Sequence, residues 1–248
     1  MKQRFKLIIE YDGTNYCGWQ KQDSLPSVQG SIQNALKNFC QNEVTIFGAG
    51  RTDSGVHAKG QVAHLDIKKE CDNTTLLNAL NYYLNNEPIS ILSVDKVDSN
   101  FDARFSAIKR YYEYIIINRA SPLTFGLNTA CHINKKLDII KMKESAKSLI
   151  GMHDFTTFRS ANCQSKSPIK AIDEINFNQN NEKLSIQFIA KSYLHTQIRS
   201  IVGSIIKVGN GDWEPQKIKQ IMEAKDREQC AKLAPACGLY LSKIDYPK

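Results

Sequence analysis

The loop Gly48-Ala49-Gly50-Arg51-Thr52-Asp53-Ser54-Gly55-Val56-His57-Ala58 sets an arginine and an aspartate two residues apart among glycines. A carboxylate in such a place can serve as a nucleophile or a general base. The glycines let the backbone take positive φ and let a substrate come close. Asp53 is also compatible with an Asx turn closed on its own backbone. Arg199 lies three and seven residues before Val202 and Ile206, so its side chain points at the apolar stripe or its edge. A guanidinium drawn inwards needs a carboxylate, whose two oxygens fit its planar fork. An edge arginine with its stem on the core and its head in water fits the same spacing. In Arg110-Tyr111-Tyr112-Glu113-Tyr114, Tyr112 and Tyr114 share one strand face and Tyr111 takes the other. An aromatic on a sheet can stack on an unstacked base, worth about 1–3 kcal/mol. Ordinary strand packing also favours tyrosine.

The elements that must hold these residues follow from periodicity. Arg4 to Tyr11 reads as a strand, ended by the turn signal Asp12-Gly13. Ser27 is the N-cap of a helix whose Val28, Ile32, Ala35, Leu36 and Phe39 fall on one face. Glu43 to Phe47 reads as a strand, Gly48 to Gly55 as a loop, and Gln61 to Lys68 as a half-buried strand. Leu76, Leu77, Leu80, Tyr83 and Leu84 form a second helical stripe, and Ile89 to Val97 a further strand. In the second half, strands are expected at Arg110 to Asn118, Ile169 to Phe177, Leu184 to Lys191 and Leu239 to Tyr246. Helices are expected at Leu137 to Ile150, on the stripe Ile198, Ile201, Val202, Ile205 and Ile206, and at Gln216 to Ala224 as an addition. The pattern β-α-β-β-α-β thus occurs twice, an α+β chain of two ferredoxin-like halves, residues 1–106 and 107–248. Such sheets often hold RNA on their open face, although topology alone decides little about function.

Composition narrows the partners. The 248 residues, 42% apolar and 23% charged, match an ordinary globular protein. No apolar run is long enough for a membrane span, and the N-terminus lacks the pattern of a signal peptide. Seven widely spaced cysteines without a C-x-x-C point to reduced thiols in a cytoplasm rather than disulfides or zinc. The five histidines show no metal-ligand spacing, so no metal is expected. A net charge of +8 attracts polyanions, either nucleic acid or an anionic membrane surface.

Read together, these stretches resemble the tRNA pseudouridine synthase A family over nearly the whole chain. The resemblance runs through YDGTNYCGWQKQ at Tyr11 to Gln22 and VQGSIQNAL at Val28 to Leu36. Its most specific part is GAGRTDSGVHAKGQVAHLD at Gly48 to Asp66. It continues through FDARFSAIKRYYEY at Phe101 to Tyr114 and GMHDFTTFR at Gly151 to Arg159. YLHTQIRSIVG at Tyr193 to Gly203 and APACGLYLSKIDYP at Ala234 to Pro247 complete it. Gln197-Ile198 stands where the family often has Met-Val, and Ser200 where Asn is common.

The resemblance implies a pseudouridine-synthase fold, with a central, mostly antiparallel sheet flanked by helices. It also implies conversion of uridine to pseudouridine at tRNA positions 38, 39 and 40 in the anticodon stem-loop. By the same match Asp53 is the nucleophile, Arg51 helps displace the target base, Tyr112 stacks on the uracil, and Arg199 pairs with Asp53 and keeps it charged. The reaction moves the sugar from N1 to C5 of one base and gains or loses no atom, so no cofactor is expected. The family further implies a homodimer in contact with tRNA. Rival readings are a non-catalytic tRNA-binding or folding protein on the same fold, a nucleoside glycosylase that would release free base, and a basic structural protein that binds no tRNA.

Overall fold

The computed structural model describes residues 2–247. In chain order its elements are β1 (Gln3–Tyr11), α1 (Val28–Cys40), β2 (Ile46–Gly48), β3 (His57–Ile67), α2 (Asn73–Tyr83), β4 (Ile89–Val97), β5 (Lys109–Asn118), β6 (Cys131–Ile133), α3 (Ile139–Ala146), β7 (Gly151–Asp154), β8 (Ile169–Ile172), β9 (Glu174–Asn180), β10 (Lys183–Ala190), α4 (Gln197–Gly209), α5 (Lys217–Ala224) and β11 (Leu239–Asp245). Two compact units result. The first runs up to Ile108 and takes in the chain from Tyr240 onward; the second is Lys109–Leu239.

In the first unit the strands lie in the order β4-β1-β3-β11, with β2 also paired to β3. All neighbours are antiparallel except β3 and β11, which run parallel. β1 alternates as a half-buried strand must: Phe5, Leu7, Ile9 and Tyr11 are buried, and the residues between them are less so. Ser27 caps α1 by accepting from the Gly30 N–H, and Asp72 caps α2 by accepting from the Thr75 N–H. The two helices pack on each other, α1 against β2 and α2 against β4. The β1–β3 register slips between Ile9 and Tyr11, where Ile9 faces Gln61 but Tyr11 faces Ala58. This bulge aims the start of β3 and the loop before it.

In the second unit β6, β5, β10 and β9 are neighbours in that order, antiparallel except β5 with β6, and β7 and β8 form a separate pair. α3 packs on α4 and α5. Every residue of the stripe Ile198, Ile201, Val202, Ile205 and Ile206 is buried. Tyr112 pairs across the sheet with Phe188 of β10.

Several local expectations change. The strand read over Ile169 to Phe177 is two strands, broken at Asp173, whose N–H donates to the Ile189 carbonyl at 2.8 Å. α3 starts at Ile139 because the Leu137 N–H goes to the Asn118 side chain and Asp138 is the N-cap. β2 begins at Ile46 rather than Glu43, and β3 begins at His57, four residues earlier than its alternation suggests. Tyr83 belongs to no core: it is 41% exposed, while Leu76, Leu80 and Leu84 are buried. Among the described residues no helix is long and apolar enough to cross a membrane.

Candidate active site

The loop from Ala49 to Val56 is shaped by a second segment, Tyr11 to Trp19. Arg51 is exposed, Thr52 buried and Asp53 half-buried, as alternate sides of an extended stretch require. The Thr52 hydroxyl shares a 2.8 Å hydrogen bond with the Tyr11 hydroxyl, and the Thr52 carbonyl accepts from the Trp19 N–H at 3.1 Å. Asp53 forms an isolated antiparallel bridge with Gly18. The Tyr16 carbonyl accepts from the Gly55 N–H and from the Ser54 hydroxyl, at 3.3 and 3.2 Å. The Val56 N–H closes the turn on the Asp53 carbonyl at 3.1 Å. On the other side Gln61 donates to the Gly50 carbonyl at 2.9 Å, and the Ala49 N–H donates to the Val62 carbonyl at 2.7 Å.

Gly18 is required twice over. Its φ is +112°, and a Cβ there would stand 2.4 Å from the Thr52 carbonyl oxygen. The sequence singled out both segments, yet gave no sign that one braces the other, because the residue types on each side do not name their partners.

Arg51 and Asp53 therefore share one loop of the first unit, and Tyr112 and Arg199 belong to the second. Tyr112 is 9% exposed, and its ring is perpendicular to that of Tyr193, with centroids 5.2 Å apart. Sequence reasoning missed Tyr193, since nothing local marks it as the neighbour of a residue on β5. Tyr114 on the same face is fully buried and donates its hydroxyl to the Pro235 carbonyl at 2.8 Å. Burial pushes the phenols of both Tyr114 and Tyr193 well above the usual range, so they stay neutral.

Arg199 stands in the first turn of α4 and is half-buried. Its Nε donates to the Ala234 carbonyl at 2.9 Å, and its own carbonyl accepts from the Ala234 N–H at 3.0 Å. This double tie fixes the direction in which the guanidinium leaves the helix. Burial pushes the nearby Cys237 thiol up, against the opposing pull of the Arg199 charge. Among the described residues no group of three or more His, Cys, Asp or Glu side chains could hold a metal ion.

A family model described as tRNA pseudouridine synthase matches residues 7–106 and 145–247. Arg51, Asp53 and Arg199 lie inside the matched stretches, and Tyr112 lies between them. The chain is 49% identical to a tRNA pseudouridine synthase A of Sinorhizobium medicae, over 98% of this chain and 99% of that protein. It is 46% identical to proteins of the same name from Parvibaculum lavamentivorans and Anaplasma phagocytophilum, each over 98% of this chain and 99% or more of theirs. The chain belongs to the tRNA pseudouridine synthase family.

Proposed function

We propose that this protein converts uridine to pseudouridine at positions 38, 39 and 40 of the tRNA anticodon stem-loop, with Asp53 as the catalytic carboxylate. The observation that carries the reading is the Asp53 loop. A half-exposed carboxylate stands on backbone fixed from both sides, within a stretch that matches the family. Such preorganisation is what covalent or base catalysis needs.

In the reaction the N1–C1′ bond breaks and a C5–C1′ bond forms on the same base. N1 gains a proton and C5 loses one, so the products balance without an oxidant or an energy source. Asp53 can attack C1′ or C6, or take the C2′ proton, and can then assist loss of the C5 proton. Reaching any of these atoms requires the nucleotide to leave its stack, at about a few kcal/mol. Arg51, exposed beside Asp53, suits displacement of the base. Tyr112 is proposed as the stacking partner of the freed uracil, worth about 1–3 kcal/mol. Arg199 is proposed as the cation that keeps the Asp53 carboxylate ionised during turnover, a role supported by its match to the family's helix arginine. The charge of +8 supports a salt-dependent grip on the phosphate backbone. By analogy with the family, the working form is a homodimer in the cytoplasm.

Unmodified tRNA labelled with tritium at uridine C5 tests the function. The protein should release tritium to water in step with pseudouridine at positions 38–40. Tight tRNA binding without release would leave a binding protein, and free uracil would point to a glycosylase.

A further inference from the structure

We propose that His57 is a positioning residue for the Asp53 loop, acting through Nδ1 as the acceptor for the Gly13 N–H. The proposal rests on Asp53 being the catalytic group. The Gly13 N–H donates to His57 Nδ1 at 3.0 Å, and the ring is 1% exposed. Gly13 touches the loop itself: a Cβ there would stand 2.1 Å from the Val56 carbonyl oxygen. The Val56 N–H in turn closes the turn on the Asp53 carbonyl. His57 thus sets where Gly13 lies, Gly13 sets where Val56 lies, and Val56 sets the far end of the turn that presents Asp53.

The protonation state follows from these contacts. An Nδ1 that accepts carries no proton, so the proton is on Nε2. The nearest acid to Nδ1 is Asp12, whose Oδ1 lies 3.1 Å away. A proton at Nδ1 would turn to Asp12 and leave the buried Gly13 N–H without its acceptor. Burial pushes the Asp12 carboxyl up and two hydrogen bonds from Thr14 pull it down, and it lies below the usual range. The other face of the site is aromatic: Tyr240 stacks on the imidazole at 4.7 Å, and the Lys59 ammonium lies over the Tyr240 ring at 4.9 Å.

A purely structural ring would not need nitrogen here. His57 Nε2 is buried with no hydrogen-bond partner among the described residues. Phenylalanine would keep the stack on Tyr240 without burying that group. The imidazole is explained by what Nδ1 does for Gly13.

The test compares His57→Phe, His57→Asn and Asp53→Ala in the full chain, with kcat, KM, tRNA Kd and Tm measured for each. His57→Phe keeps the stack and loses the acceptor. It should keep Kd and lower Tm modestly, since the buried Gly13 N–H loses its acceptor, while kcat falls about tenfold or more, as small misplacements of a reacting group do. The Asn side-chain oxygen occupies the place of Nδ1. His57→Asn should therefore lose Tm with the stack yet bring kcat back to within about threefold of native. A His57→Phe protein of native kcat, or a His57→Asn protein no faster than His57→Phe, would overturn the proposal. Asp53→Ala separates the two readings. If it is inactive and His57→Phe is fully active, the positioning role alone fails. If Asp53→Ala itself turns over, the role of Asp53 fails and that of His57 with it.

Discussion

The Asp53 loop and the start of α4 carry the two charged groups proposed for catalysis, and they are held in different ways. The loop is non-regular backbone whose polar groups are satisfied by neighbours: Thr52, Asp53, Gly55 and Val56 all have backbone partners in the segment from Gly13 to Trp19 or within the turn. The start of α4 is regular backbone preceded by a strained residue. Thr196 has a φ of +62° and gives no side-chain cap, a conformation costing about 1–3 kcal/mol for a residue with a Cβ. Around it the Tyr193 hydroxyl, Thr196 Oγ1, Gln197 Nε2 and Ser200 Oγ are buried with no hydrogen-bond partner among the described residues. Secondary structure is thus no guide to which region is better fixed. The loop takes its shape from the segment Gly13 to Trp19, whereas the helix start is tied by Arg199 to Ala234 and by Gln197 to Leu194.

Changes at four positions would break or sharpen this contrast. Gly18→Ala should be the most damaging, because the new Cβ meets the Thr52 carbonyl at 2.4 Å in a backbone with φ +112°. A loss of about 3 kcal/mol in urea unfolding, with turnover reduced about a hundredfold, is expected; a native-like Gly18→Ala protein would refute the brace. Arg199→Ala and Arg199→Lys come next. Both should lower kcat, by about 10- to 100-fold, and cost about 1 kcal/mol through the lost bond to Ala234, since Lys keeps charge but not the planar Nε donor. Near-native rates in both would remove Arg199 from the machinery.

Thr52→Val should have a smaller effect. It deletes a buried bond to the Tyr11 hydroxyl, for about 1–2 kcal/mol in thermal unfolding. Thr196→Gly should do least: relief of the positive φ offsets the added freedom of the unfolded chain, so Tm should hold or rise slightly. A clear loss would show that the Thr196 side chain does more than cap badly.

Acid offers a further way to separate the regions. The Asp12 carboxyl lies below its ordinary value in the folded state. Its contribution to the brace is therefore fully present above the unfolded aspartate value, about 4, and is lost as pH falls through the lower folded one. Amide protection, taken relative to the intrinsic exchange rate at each pH between 5 and 3, should fall at Gly13 to Trp19 and Thr52 to Val56 before it does within α4. Asp12→Asn should flatten that dependence, and an equal fall in both regions would contradict it.

Much of the frame was legible in the sequence because it rests on strong local periodicity. β1, α1, β4, β5 and α4 are found where alternation or a helical stripe places them. The breaks were not legible, because their causes are distant. Asp173 interrupts a strand for a bond to Ile189, and Leu137 leaves a helix for the Asn118 side chain. Three-residue strands such as β6 carry too little pattern to register. At the site, Arg51 and Asp53 were visible as chemistry on a glycine-rich loop. The brace from Tyr11 to Trp19, the acceptor role of His57 and the perpendicular Tyr193 were not, since each joins residues whose types say nothing of their partners.

Single-turnover conversion of unmodified tRNA by Asp53→Asn, with saturating protein and modified positions mapped, tests the central claim most directly. The substitution keeps shape and hydrogen-bonding capacity and removes the charge. The protein should bind tRNA with a Kd within about threefold of native and form no pseudouridine at positions 38–40. Pseudouridine formed at the native rate would contradict the assignment of Asp53 and the mechanism built on it.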